Sequence, residues 1–185
     1  MSIFNPIHKY IVAAFVATVM FPLPLAAQAA PIDDLFAELQ VLSADQTDQS
    51  ERIASQIRAI WSKSGSASMD LLLKRGRDAL EANNLQAAID HFSALVDHAP
   101  DFAEAYHARA QAYFEAGYFG PALADLRTAL ALNPRHFEAM RGLGFILEET
   151  GEAQKALWTY RKALVLNPAD EDVQKAILRL EGMAL

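Results

Sequence analysis

Apolar residues recur along this chain at steps of three and four, the spacing that places side chains on one face of an α-helix. Between residues 103 and 136 the pattern appears twice. The first set is Ala105, Tyr106, Ala110, Tyr113 and Phe114, and the second is Phe119, Ala122, Leu123, Leu126 and Leu130. Gly117 stands between the two sets, and glycine readily adopts the left-handed conformation that ends a helix. This stretch therefore predicts two helices joined by a tight turn.

The same arrangement occurs three times with a period of 34 residues, in the blocks 69–102, 103–136 and 137–170. Each block carries a helix breaker, a small residue early in the second helix and a closing proline at constant offsets. These positions are Asn83, Gly117 and Gly151, then Ala88, Ala122 and Ala156, then Pro100, Pro134 and Pro168. A fixed period of this length predicts a solenoid, in which each unit packs on its neighbours.

Small residues also recur midway along the first helix of each block, at Gly76, Ala110 and Gly144. Small side chains on both helices of a hairpin allow the two backbones to approach closely. The large residues that we expect to fill the space around them are Phe92, Leu126 and Tyr160. Because these positions keep the same spacing in each block, we predict equivalent helix crossings in the three hairpins.

The three blocks resemble the tetratricopeptide repeat family, whose pattern has 34 residues with Leu-Gly, Tyr, Ala, Phe and Pro at set places. The segments 103–106 (Ala-Glu-Ala-Tyr) and 129–134 (Ala-Leu-Ala-Leu-Asn-Pro) are close to the family's consensus. The chain as a whole is also similar to short exported bacterial proteins that contain these repeats. The resemblance implies an all-α fold, a right-handed α-solenoid of three helical hairpins that binds other proteins.

Two arginines depart from this family pattern. Arg75 and Arg109 replace the leucine that is usual in the first helix of a repeat, whereas Leu143 keeps it. An arginine in a helix interface needs a partner for its charge. We expect Arg109 to pair with Asp125 across its own hairpin, and Asp90 is the nearest candidate partner for Arg75.

Residues 30–68 precede the repeats and do not fit their columns. One helix is indicated by Leu35, Phe36, Leu39 and Leu42, a second by Ile53, Ile57, Ile60 and Trp61, and the serine-rich run 62–68 indicates a linker. We interpret this segment as an N-terminal helical cap and expect Trp61 to be buried against the first repeat, with an exposed anchor for a partner as the alternative.

A further helix is predicted from Asp170 to Met183, with the C-terminal segment 171–185 as a capping helix. Its apolar face is formed by Val173, Ala176, Ile177 and Leu180, and charged residues occupy the other faces. A solenoid ends with an exposed apolar face, which a terminal helix with a polar outer side can cover.

Residues 1–29 have the features of a secretory signal peptide. Lys9 precedes an apolar stretch, and Ala27-Gln28-Ala29 supplies small residues at a cleavage site, so we expect cleavage after Ala29. The alternative is a retained membrane anchor, but residues 10–25 include two prolines and are shorter than the about 20 apolar residues of a spanning helix. We therefore predict a periplasmic or secreted protein with no membrane association after cleavage.

Charge and composition narrow the possible partners. The chain has 16 basic and 23 acidic residues, and only Lys9 lies in the predicted signal, which leaves a mature chain of charge −8. Nucleic acids and anionic lipids are bound by basic surfaces, so neither is an expected ligand. The absence of cysteine excludes a lipid-anchored lipoprotein and thiol catalysis.

No catalytic constellation is present in the sequence. Phosphate-binding loops, His-Glu-x-x-His and Gly-x-Ser-x-Gly are all missing. The histidines after the predicted signal are His91, His98, His107 and His136, and their spacing does not suggest metal ligation. We therefore predict a non-enzymatic protein with no cofactor and no metal.

In the tetratricopeptide family the first helices of the repeats line a concave groove. The resemblance implies a protein-binding groove whose candidate residues combine cations, polar groups and aromatic rings. They are Leu73, Arg77, Glu104, His107, Gln111, Phe114, Arg141 and Phe145. Whether Phe114 and Phe145 meet a ligand or pack against the next repeat is left open by the sequence, since the register fixes only the approximate face.

Chaperone-docking members of the family hold a terminal carboxylate with lysines and asparagines at set positions of the groove. The matching positions here are Leu73, Arg77, Ala108, Glu138 and Gly142. Because only Arg77 is basic, that clamp is not expected in this chain.

The leading hypothesis is a protein–protein interaction module or scaffold of the bacterial periplasm or cell envelope, which binds a peptide or helix of another protein in its groove. The alternative is a self-assembling structural protein that exchanges its terminal helices between copies, which would give a homo-oligomer.

Overall fold

The structure is a computed structural model that describes residues 32–183, and the predicted signal peptide lies outside these residues. Nine α-helices and no strands are found in the described part. The helices are α1 (Ile32–Gln40), α2 (Thr47–Trp61), α3 (Ala67–Glu81), α4 (Leu85–His98), α5 (Ala103–Glu115), α6 (Phe119–Leu132), α7 (Phe137–Glu149), α8 (Ala153–Leu166) and α9 (Glu171–Met183). Among the described residues, no helix is long and apolar enough to span a membrane.

Three helical hairpins, α3–α4, α5–α6 and α7–α8, follow the sequence period. The predicted breakers Asn83, Gly117 and Gly151 all have positive φ angles, of 55°, 79° and 79°. At the middle turn the Gly117 N–H donates to the Phe114 carbonyl and the Tyr118 N–H donates to the Tyr113 carbonyl, which completes the hydrogen bonding at the helix end. The prediction of a tight turn at each breaker is confirmed.

Close helix crossings hold each hairpin together. Ala88, Ala122 and Ala156 are fully buried, at equivalent places in α4, α6 and α8. A Cβ atom added to Gly144 would overlap the ring of Tyr160, and one added at Gly76 would overlap the ring of Phe92. The small residues therefore provide the space that the large rings fill, as predicted from their equivalent positions in the 34-residue blocks.

An ion pair crosses the middle hairpin. Arg109 Nε and Nη2 donate to the two carboxylate oxygens of Asp125 at 2.7 and 2.8 Å, so the predicted pair is confirmed. The corresponding expectation for Arg75 is wrong, because Asp90 accepts a hydrogen bond from Gln86 Nε2 at 2.9 Å and forms no ion pair with Arg75.

The C-terminal helix α9 packs on the third hairpin, as predicted. Val173, Ala176, Ile177 and Leu180 are buried in one apolar cluster with residues of α7 and α8. The Asp170 side chain accepts a hydrogen bond from the Val173 N–H at 3.1 Å, which satisfies one of the free donors at the start of the helix.

Helices α1 and α2 form a separate hairpin, which we call the clasp (residues 32–61). Its apolar cluster includes Phe137, Leu166 and Ala169, which belong to the third repeat or to the turn that follows it. The Trp61 ring lies 4.3 Å from that of His136 and 5.2 Å from that of Phe137. The clasp is therefore not an end cap of the first repeat, and the expectation that Trp61 is buried there is wrong. The sequence missed this packing because an isolated hairpin shares no period with its docking surface.

Polar contacts add to this docking. Ser50 donates to Asn167 at 2.7 Å in a buried hydrogen bond, and Arg58 pairs with Glu138 at 3.0 Å. Since α2 is joined to α3 by residues 62–66, the clasp links the third repeat to the start of the first.

Candidate functional site: the closed groove

A cavity of about 960 Å³ occupies the concave side of the solenoid. Its floor is formed by α5 and α7, and α9 lies at one end. The clasp supplies a further wall through Ser55, Arg58 and Ala59, and Ser62 of the linker extends it. The groove is therefore partly closed by a helix of the same chain.

Seven of the eight predicted groove residues line this cavity, namely Arg77, Glu104, His107, Gln111, Phe114, Arg141 and Phe145. Leu73 does not line it and was wrongly assigned to the groove. Its side chain is only 2% exposed and lies in the apolar core shared by α3, α4 and α5. That this surface binds protein stays a prediction.

The aromatic residues form the apolar end of the cavity. Phe114 and Phe145 meet edge to face with ring centroids 5.3 Å apart, and Phe119 lies 5.6 Å from Phe114. The rings pack on each other across neighbouring repeats, as one of the two alternatives predicts, while Phe145 remains 42% exposed. That these rings meet a ligand stays a prediction. An exposed aromatic ring in a concave surface is a typical anchor for a protein partner.

The cations of the groove already have partners in the chain. Arg77 pairs with Glu104 and donates to Ser62 Oγ at 3.0 Å. Arg141 lies 3.4 Å from Asp170. A ligand with a carboxylate would therefore have to compete with these internal pairs. An apolar ligand could contact the exposed surface of Phe145 without displacing any pair.

A buried polar cluster lies where the clasp meets the groove. Glu104 and His107 come from α5, and His136 immediately precedes α7. His136 Nε2 lies 2.9 Å from Glu104 Oε2, whereas His107 Nδ1 is 3.5 Å from the same oxygen and has no hydrogen-bond partner. His136 Nδ1 accepts a hydrogen bond from the Ala139 N–H at 3.2 Å, so this side chain caps α7.

The three titratable groups of this cluster shift in different directions. Burial opposes ionisation of Glu104, but the nearby charge of His107 and the hydrogen bond with His136 outweigh it and lower the carboxyl pKa well below its usual range. Burial also opposes the charge on His107, but Glu104 outweighs it and raises the His107 pKa. At His136 burial dominates, and the pKa is lowered despite the hydrogen bond to Glu104. The cluster therefore holds a carboxylate beside a readily protonated His107 and a neutral His136.

Two imidazoles and a carboxylate are a ligand set that suits zinc, and the three potential ligand atoms lie within 4.8 Å of one another. The hydrogen bond from Ala139 argues against this use. Because Nδ1 of His136 is an acceptor, the proton of the neutral ring is on Nε2, and that nitrogen has no lone pair for a metal. The prediction that the chain holds no metal stays a prediction.

Sequence reasoning missed this cluster because it considered the histidines by their spacing along one helix. The 34-residue period could have revealed the cluster. Glu104 and Glu138 have the same offset in neighbouring repeats, and residues one period apart in a solenoid lie side by side. His136, two residues before Glu138, is thereby brought to Glu104 and His107.

Comparison with known proteins agrees with this architecture. The family model "Tetratricopeptide repeat" matches residues 73–120 and 107–171, which together make up more than half of the chain. The chain belongs to the tetratricopeptide repeat family. The resemblance inferred from the repeated blocks is thus confirmed.

Among the tetratricopeptide relatives is a TPR repeat-containing protein of Rhizobium etli, 32% identical over 79% of this chain and 71% of its own length. Small glutamine-rich tetratricopeptide repeat-containing protein 2 of Mycosarcoma maydis is 26% identical over 60% of this chain, but the match spans only 32% of that protein. The first TPR of Spaghetti (RPAP3), solved with an HSP90 peptide, superimposes with a TM-score of 0.61 at 22% identity, covering 63% of this chain and 92% of that one.

As a tetratricopeptide repeat protein, the chain is a protein–protein interaction module. The Spaghetti likeness shows the fold alone at this level of identity. The clasp begins well before the residues that the family model matches, so it is an addition to the repeat domain.

Proposed function

We propose that this chain is a non-enzymatic interaction module of the bacterial periplasm or cell envelope, and that its closed groove binds a polypeptide segment of another protein. The observation that carries the proposal is the convergence of seven predicted groove residues on one cavity. The exposed edge of Phe145 beside Phe114 provides an apolar anchor point at its end.

The character of the ligand follows from the cavity walls. Arg58, Arg77 and Arg141 are all engaged with carboxylates of the chain, so a ligand gains little by presenting a further acidic group. Burial of an apolar side chain against Phe145 needs no such exchange and is favourable by about 25 cal/mol per Å² of apolar surface. We therefore favour a segment whose main anchor is an apolar or aromatic side chain.

The location rests on the signal-like segment 1–29. A test expresses the full chain in a bacterial cell with and without the change Ala29→Leu, which removes a small residue from the predicted cleavage site. We expect the unchanged chain to appear shortened in the periplasmic fraction and the variant to retain its N-terminus. Finding the unchanged chain at full length in the cytoplasm would contradict the location but not the groove.

The groove is tested by site-specific photocrosslinking in intact cells. A photoreactive aromatic residue replaces Phe145 in one variant and Trp158 in a matched control. Trp158 is 60% exposed on α8 and does not line the cavity. We expect a discrete crosslinked partner from position 145 and not from position 158.

A second substitution decides whether the crosslink reports the groove. Gln111→Trp places bulk inside the cavity at an exposed position of α5, away from the apolar core. We expect this change to abolish the crosslink from position 145 while the circular dichroism spectrum is retained. Equal crosslinking from positions 145 and 158, or no loss with Gln111→Trp, would overturn the groove assignment.

Exchange of terminal helices between copies stays a sequence prediction. In the described residues α1, α2 and α9 all pack on the third repeat of their own chain. This arrangement gives the self-assembly alternative no specific support.

A further inference from the structure

We propose that the clasp is released from the groove by mild acid, because its docking through Trp61 requires a neutral His136. The proposal rests on the position of the His136 ring, which contacts Trp61 of the clasp, the N-terminus of α7 and the buried carboxylate of Glu104. These contacts determine which ring nitrogen can carry a proton.

The hydrogen bonds of His136 define its protonation state. Nδ1 accepts from the Ala139 N–H at 3.2 Å, and Nε2 faces Glu104 Oε2 at 2.9 Å. A neutral ring can satisfy both contacts only when Nε2 carries the proton and Nδ1 does not. The Trp61 ring covers this tautomer by stacking at 4.3 Å, and the His136 side chain is fully buried.

A second proton has to be added at Nδ1. It converts the acceptor that caps α7 into a donor facing the Ala139 N–H, so the cap is lost. The new positive charge lies at the N-terminus of α7, where the helix dipole is also positive. Burial under Trp61 removes the water that would solvate this charge. The docked clasp therefore opposes protonation, in keeping with the lowered pKa of His136.

The charged groups around His136 do not compensate for the cost of protonating it. Glu104 faces His136 but is shared with His107 on α5 and Arg77 on α3, which are both cationic or readily protonated. Glu138 on α7 is paired with Arg58 of the clasp. The other charged groups near this joint are Arg135 before α7, Asp33 in α1, and Arg141 and its partner Asp170.

The ion pair of His107 with Glu104 does not depend on docking of the clasp. His107 and Glu104 belong to one helix at a separation of three residues, so their pair persists when the clasp leaves. The raised pKa of His107 stabilises this local pair below the unfolded pKa and loses that effect as the pH rises through the folded value. His136 differs because Trp61 itself covers it.

The direction of the effect follows from proton linkage. With the clasp released, water reaches His136, and the desolvation that lowers its pKa in the docked state is relieved. The released state then binds the proton more tightly than the docked state, so the docked population decreases as the pH falls through the His136 pKa of the released state. One proton changes the docking constant by at most about tenfold per pH unit.

The packing between the clasp and the third repeat is interrupted at one place. A second cavity of about 230 Å³ lies between α2 and the third repeat. Release would also remove Ser55, Arg58 and Ala59 from the groove wall and widen the groove. This last consequence rests on the proposed function, whereas the docking equilibrium itself does not.

The test uses the full mature chain without any partner, so it is independent of the proposed function. The chain has two tryptophans, and Trp158→Phe leaves Trp61 as the sole reporter. Fluorescence is recorded from pH 8 to pH 5, the range in which an ordinary histidine changes its charge. We expect Trp61 to shift to the emission of a hydrated indole as the pH falls within this range.

Two variants in the same background identify the responsible group. His136→Asn keeps a good capping side chain but cannot titrate, and we expect its fluorescence to be independent of pH. His107→Gln removes the neighbouring histidine and should retain the transition. A transition that persists in His136→Asn, or that is lost in His107→Gln while His136 is present, would overturn the proposal.

Hydrogen exchange distinguishes release of the clasp from general unfolding. After correction for intrinsic exchange rates, amides of α2 should lose protection between pH 7.5 and pH 5.5, while those of α4 should keep it. Unchanged α2 protection would contradict the proposal even if the fluorescence changed. Equal losses in α2 and α4 would also contradict it, because they indicate unfolding of the whole chain.

Discussion

The repeats and the clasp are both helical hairpins with apolar interiors, yet they are held in place by different kinds of contact. In the repeats, Gly76 lies under Phe92 and Gly144 under Tyr160, and the backbones meet closely. The clasp instead shares an apolar cluster with Phe137 and Ala169 at the third repeat, and a buried hydrogen bond and one stacked tryptophan add to this attachment.

This difference predicts a difference in stability. Close-packed crossings repeat from hairpin to hairpin, so the loss of one affects its neighbours. The contacts of the clasp with the third repeat do not recur with the period, and a cavity lies between α2 and this repeat. We expect the clasp to be the least stable cooperative unit among the described residues.

The largest expected effect comes from removing a buried ring in each region. Phe92 is 0% exposed and Phe36 is 3% exposed, so the two side chains are matched in type and burial. Phe92→Ala should lower the free energy of unfolding by about 3–5 kcal/mol, the usual cost of this change in a core. Phe36→Ala should leave the repeats folded and mainly release the clasp.

Urea denaturation and hydrogen exchange of α2 and α4 measure these two outcomes. Phe36→Ala should increase exchange in α2 while α4 remains protected. Equal losses of global stability in the two variants would show that the clasp and the repeats unfold as one unit, contrary to the comparison.

A smaller effect is expected at the helix crossing of the third repeat. The Cβ atom of Gly144→Ala would overlap the Tyr160 ring, and overpacking of this kind costs about 1–3 kcal/mol. Gly142→Ala is a matched control, because its Cβ would lie 3.6 Å from Leu126, an ordinary contact distance. We expect thermal unfolding to show a loss for Gly144→Ala and none for Gly142→Ala. A loss of similar size in both would indicate that helix–helix distance is not the cause.

The smallest effect on global stability is expected from one polar contact of the clasp. Ser50→Ala removes the donor to Asn167 and leaves a buried amide oxygen without this partner, at a cost of about 1–3 kcal/mol to docking. We expect faster amide exchange in α2 and little change in the global unfolding midpoint. An unchanged exchange rate in α2 would show that this hydrogen bond does not limit release.

Most of the candidate groove could be predicted from the sequence, with an informative exception. The resemblance to the repeat family places Arg77, Glu104, Gln111 and the others on the groove face, and these three do line one cavity. Leu73 was misplaced because it lies four residues before Arg77 on α3 but faces α4 and α5. Residues on one side of a helix can face either the groove or a neighbouring helix. The repeat register alone could not tell these two orientations apart.

The sequence by itself determined the repeat unit, because the contacts that stabilise it join residues at a constant short separation. Arg109 and Asp125 are 16 residues apart, and the turn residues Asn83, Gly117 and Gly151 recur at one offset. Any contact that recurs with the period leaves a pattern in the sequence that can be recognised before a structure is known.

Only the tertiary structure decided where the clasp docks and which groups meet beneath it. Arg58 reaches Glu138 across 80 residues and Thr47 reaches Glu171 across 124, and neither separation is repeated. A contact that occurs once has no periodic signal, and the amphipathic pattern of α2 specifies an apolar face but not its partner. The partly closed groove and the burial of His136 under Trp61 both depend on the docking of the clasp at the third repeat.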